Sequence, residues 1–61
     1  MPTKKDFEIT AAILAATRAE MTGVIERRAI DAMAGKFADN YASGNPRFNR
    51  TRFLAACGVI A

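Results

Sequence analysis

The sequence predicts an all-α fold, a small domain of three helices, and three observations point to it. Apolar residues recur at helical spacing, and no stretch alternates with the period of two that a strand requires. Helix-boundary residues interrupt the chain at Thr3, at Met21-Thr22-Gly23 and at Ser43-Gly44-Asn45-Pro46, the last followed by Asn49. Much of the 51% hydrophobic content is alanine, which suits close helix-on-helix contact better than a large core. The 61 residues form one domain spanning the whole chain. A domain of this size buries only about 60% of the surface its unfolded chain exposes. Self-association, as a homodimer or dimeric bundle, is therefore an expected supplement to its stability.

The first helix is expected over residues 4–20. Thr3 is its N-cap, with Asp6 three residues on as a variant of the capping box, and Pro2 keeps the preceding residues out of the helix. Phe7, Ala11, Leu14 and Met21 form its main apolar stripe. Ile9, Ile13 and Ala16 form a second strip on another side. The second helix is expected over residues 23–42, with Ile30, Met33, Ala34, Phe37 and Tyr41 on one face and Arg28, Ala32, Lys36 and Asp39 opposite. Gly44 as C-cap and Pro46, which keeps Asn45 out of the α region, end it.

Only Met21-Thr22-Gly23 separates these two helices, and two arrangements follow. If one long helix continued through them, the two main stripes would diverge by roughly 140° at about 100° per residue. A break at Thr22-Gly23 lets both face one core, although Ile9 and Ile13 lie nearer the phase of the second stripe. The break is the favoured arrangement, and a continuous bundle-forming helix the alternative.

The third helix is expected over residues 50–57, and both of its ends are specified locally. Asn49 is the N-cap, while Phe48 before the cap and Phe53 at the fourth helical position are spaced as a hydrophobic staple. Gly58 suits the left-handed position beyond the helix, where a Schellman closure would press Val59 against Leu54. The stretch NPRFNRTRFLAACG, residues 45–58, resembles the NPRF-D-R-x-RFLxACG ending of small proteins encoded in bacteriophage and prophage-like genomes. The resemblance covers mainly the C-terminal third and, more loosely, the FADNYASG stretch before it. It implies a source and a fold but no activity. Asn49 stands where that pattern usually has aspartate, and either residue caps a helix.

Charge is distributed unevenly. Up to residue 40 the bases Lys4, Lys5, Arg18, Arg27, Arg28 and Lys36 balance the acids Asp6, Glu8, Glu20, Glu26, Asp31 and Asp39. The whole formal charge of +3 therefore comes from Arg47, Arg50 and Arg52. No run reaches the roughly 18 apolar residues that span a bilayer, and MPTKKDFE lacks the apolar segment of a signal peptide, so the expected location is the cytoplasm, with no membrane partner. A single cysteine agrees with a reducing compartment.

Composition argues against catalysis and against a cofactor. With no histidine in the sequence, the commonest general base is missing. Cys57 falls in the last turn of a helix, where the dipole disfavours a thiolate, and reads as a small apolar core residue. One cysteine and scattered carboxylates give no metal-ligand spacing, and Gly23, Gly35, Gly44 and Gly58 make no nucleotide-binding fingerprint.

The arginine cluster is the one chemically pointed feature. Cations in a first helical turn oppose the macrodipole, so stability alone would favour acids there. Two readings stand. Arg47, Arg50 or Arg52 pairs with Asp31 or Asp39, or lays its stem over Phe48 and Tyr41; alternatively, the arginines hold an anion, a phosphate or a partner's carboxylate. The function expected is that of a non-enzymatic helical interaction protein, a phage or prophage accessory factor that binds another protein. A small nucleic-acid-binding or regulatory protein using the same arginines is the alternative. Against specific base readout, the third helix is short and apolar, and the connection before it exceeds a helix-turn-helix turn.

Overall fold

The computed structural model describes residues 3–59, in which the chain forms three α-helices: α1 (Lys4–Glu20), α2 (Val24–Gly44) and α3 (Arg50–Ala56). Pro2, given a role on sequence grounds, lies outside the described residues. At the start of α1 the Thr3 N–H donates to Asp6 Oδ2 at 2.8 Å, and the Asp6 N–H donates to Thr3 Oγ1 at 3.4 Å. This is a complete capping box, with aspartate in the place more often taken by glutamate.

The chain breaks between α1 and α2, as the favoured arrangement required. Met21 is extended (φ −79°, ψ 133°), and its N–H closes a tight turn on the Arg18 carbonyl at 3.1 Å. Gly23 is the extended N-cap of α2, and Arg27 Nε reaches back to the Met21 carbonyl at 3.2 Å, satisfying one acceptor exposed by the break.

Two details of α2 differ from expectation. The helix runs on through Gly44 instead of ending at residue 42, and Asn45, extended at φ −146°, is its C-cap. Proline therefore supplies the stop: Pro46 excludes Asn45 from the α region while Gly44 keeps helical geometry. The buried face is also rotated. Ile30, Ala34 and Ala38 are buried and Tyr41 half-buried, whereas Met33 and Phe37 remain 47% and 38% exposed. The two alanines let α2 pack closely, and α3 lies on the Asp39 side of α2, which turns the core-facing arc away from Met33.

The described boundaries of α3 carry the expected caps. Asn49 Oδ1 accepts from the Arg52 N–H at 2.9 Å, and the Phe48 and Phe53 rings of the staple lie 5.5 Å apart. Cys57 is the C-cap of the helix, one residue beyond its last helical position. Gly58 has φ +85°, the Val59 N–H donates to the Leu54 carbonyl at 3.0 Å, and the Gly58 N–H donates to the Ala55 carbonyl at 3.1 Å. That pair of bonds is the Schellman closure.

All three helices meet in one core of Ala11, Leu14, Ile30, Ala34, Ala38, Phe53 and Cys57. Phe7, Tyr41, Phe48 and Phe53 cluster at one end of it, with neighbouring ring centroids 4.6 to 5.6 Å apart and mostly tilted or edge-on. Tyr41 is half-buried in this cluster, and its hydroxyl hydrogen-bonds the Thr10 hydroxyl at 3.1 Å. At the other end Arg18 Nε donates to Asp31 Oδ1 at 2.8 Å, with both side chains less than a third exposed. These two contacts, Thr10 with Tyr41 and Arg18 with Asp31, set α1 and α2 antiparallel.

Candidate functional site: a basic-rimmed cleft between α1 and α3

The structure separates the three arginines. Arg50 turns toward α2 and pairs with Asp39, Nη2 to Oδ1 at 3.0 Å, in a solvent-exposed contact of the kind that contributes about 0 to 1 kcal/mol. Asp31, the other acid considered on sequence grounds, is occupied by Arg18. Arg47 and Arg52 instead border a cleft of about 380 Å³ between the first turns of α1 and the chain entering α3.

The cleft is built by three segments. Lys4, Phe7, Glu8 and Ala11 follow one another at helical spacing along one side of α1 and form one wall. Asn45, Arg47, Phe48 and Asn49 come from the connection, and Arg52, Phe53 and Ala56 from α3. The connection is held in shape by its own hydrogen bonds. The Arg47 N–H donates to Asn45 Oδ1 at 3.0 Å, and the Phe48 N–H donates to the Asn45 carbonyl at 3.0 Å, a local side-chain-supported turn.

Phe7, Ala11, Phe48 and Phe53 give the cleft an apolar floor, three of whose residues belong to the aromatic cluster. Lys4, Arg47 and Arg52 give it a basic rim opposed by the single carboxylate of Glu8. Such a site suits a ligand that presents an apolar group and an anionic group side by side. Arginine adds a planar fork of donors that matches a carboxylate. Lys4 and Glu8 were not singled out from the sequence. Their helical register with Phe7 and Ala11 was visible, but the element that packs beside them was not.

Of the residues given structural roles, Phe48, Asn49, Phe53, Leu54 and Gly58 all take part in the caps and packing of α3. Cys57 is fully buried, and burial pushes its thiol above the ordinary range. Among the described residues no three of His, Cys, Asp and Glu come together as metal ligands, and no helix is long and apolar enough to cross a membrane. Fold and site together define a three-helix domain with a basic-rimmed apolar cleft. No family model, curated protein or solved structure matches the chain.

Proposed function

We propose that this protein is a non-enzymatic interaction module that seats an acidic, partly apolar segment of a partner protein in the cleft between α1 and α3. The observation that carries this reading is the placement of Lys4, Arg47 and Arg52 around the aromatic floor of Phe7, Phe48 and Phe53. The phosphate backbone of a duplex would use the rim and leave the floor empty. A peptide with an aspartate or glutamate beside a leucine or phenylalanine uses both. The resemblance of residues 45–58 to small phage and prophage proteins fits an accessory factor that meets its partner in the cytoplasm of a host cell. The placement of Arg52 supports the reading further, since a cation in the first turn of α3 works against the helix dipole and is best accounted for by something it binds.

Peptides pairing acidic with aromatic or aliphatic residues, titrated into isotopically labelled protein, test the proposal. Amide shifts are expected at Phe7, Ala11, Arg52 and Phe53. Arg52→Glu separates binding from folding: it places an acid where α3 prefers one, so thermal stability is expected to hold or rise by a few tenths of a kcal/mol while peptide binding is lost. An oligonucleotide that binds more tightly than every peptide, with affinity falling by a log–log salt slope of about 0.9 per phosphate contacted, would replace this reading with the nucleic-acid one.

A further inference from the structure

α1 carries a second face that nothing in the described chain covers. Lys5, Ile9, Ala12, Ile13, Ala16 and Glu20 are all exposed, with Ile9 at 49% and Ile13 at 60%. At about 100° per residue they fall within an arc of roughly 100° on the helix. α3 lies elsewhere: Phe7 and Ala11, which line the cleft between α1 and α3, are about 120° to 160° from Ile13 by the same rotation. The register set by Thr10–Tyr41 and Arg18–Asp31 brings exposed Phe37 and Met33 of α2 level with Ile13 and Thr17, extending this face across both helices.

The pattern along the stripe is self-complementary when reversed. A two-fold axis lying in the plane of the face, perpendicular to α1 and passing between residues 12 and 13, sets a second α1 antiparallel on the first. It places Ile9 opposite Ala16 of the second copy, Ile13 opposite Ala12, and Lys5 opposite Glu20. Each large residue meets a small one, and each end charge meets its opposite about 11 Å from the axis at 1.5 Å per residue. Asp6, also near the Lys5 end, has its carboxylate engaged by the Thr3 N–H and hydroxyl at 2.8 and 3.2 Å. At the Glu20 end, Arg27 Nε donates to the Met21 carbonyl at 3.2 Å, so its guanidinium is tied to the turn after α1.

We infer that this face binds a second copy of the chain, forming a two-fold dimer through antiparallel α1 helices with Lys5 of each copy beside Glu20 of the other. An isologous contact of this kind repeats every interaction twice. The cleft lies on the opposite side of α1, so the dimer presents two clefts facing outward. The inference does not depend on what the cleft holds.

Sedimentation equilibrium across micromolar to millimolar concentrations tests it, with helicity followed by circular dichroism. The wild type is expected to dimerise and Ile13→Glu to remain monomeric, with helix content unchanged because position 13 is solvent-exposed. Lys5→Glu and Glu20→Lys alone each turn two attractions into repulsions. Each is expected to raise the dissociation constant about tenfold, equivalent to about 1.4 kcal/mol. Mixing those two variants restores both contacts, so the mixture is expected to form a heterodimer of near wild-type affinity. A monomeric wild type, a dimer indifferent to Ile13→Glu, or a mixture no tighter than its components overturns the inference.

Discussion

Replacing Phe53 by alanine puts the packing of the C-terminal third to its most direct test. Phe53 is 5% exposed, sits with its ring 5.6 Å from that of Tyr41 and 5.5 Å from that of Phe48, and is the only fully helical residue of α3 that is buried. Truncating a buried phenylalanine to alanine costs about 3 to 5 kcal/mol. A domain of this length has a total stability of roughly 3 to 9 kcal/mol at about 0.05 to 0.15 kcal/mol per residue. The substitution therefore removes much or all of the stability. In a thermal melt followed at 222 nm, a loss of 3 kcal/mol corresponds to a fall of roughly 12 to 24 °C for a domain of this size. Phe53→Leu keeps most of the volume and loses the ring geometry, so a cost below about 1.5 kcal/mol is expected for it. A double-mutant cycle with Phe48→Leu should return a coupling of about 0.5 to 1.5 kcal/mol for the ring pair. A melt of Phe53→Ala that coincides with wild type would mean that α3 does not pack on α1 and α2, and the cleft would lose its floor with it.

Asn49→Ala removes the acceptor for the Arg52 N–H and should destabilise by about 0.5 to 2 kcal/mol in urea titration. Gly58→Ala forces a side chain into φ +85°, where the nearest foreign atom is 3.7 Å away; strain and not collision sets the cost, about 1 to 2 kcal/mol by the same assay. Cys57 should react with a thiol reagent slowly in the native state and rapidly after denaturation, since its side chain is fully buried. Its raised thiol pKa also has a sign. The contribution is fully present below the unfolded cysteine pKa of about 8.5 and is lost as pH rises toward the higher folded value, with a slope of at most about 1.4 kcal/mol per pH unit. Comparison of wild type with Cys57→Ala above pH 8 isolates it, and equal slopes would show that the thiol is not desolvated.

What was legible in the sequence is what is local. The capping box at Thr3, the staple of Phe48 and Phe53, and the Gly58 closure each involve residues within about five positions, so their geometry follows from spacing alone. The buried arc of α2 is different. Met33 and Phe37 share a helical face with Ile30 and Ala34, and hydrophobicity ranks them above Ala38, yet Ala38 is fully buried and they are not. Which side of α2 is covered depends on where α3 docks, information that no single helix carries. The same reason hid Lys4 and the pairing of Arg18 with Asp31, both set by helices meeting across the core. The arginine cluster was visible as charge, but its division into Arg50 bound to Asp39 and Arg47 with Arg52 at the cleft is a tertiary result.

The shortness of α3 links the two faces of the molecule. At 7 residues it is well below the roughly 12 to 15 that hold an isolated helix together, so it exists only because both ends are capped and Phe53 is buried against two longer helices. A helix so short covers one groove between α1 and α2 and stops. Where its entry leans over the first turns of α1, the chain cannot close completely on Phe7, and the gap is the cleft. On the other side of α1 nothing among the described residues covers Ile9 and Ile13, which stay exposed. In a longer bundle that strip would be core. Here those residues stay exposed, and in the dimer proposed above the Lys5-to-Glu20 polarity would give the second copy its orientation.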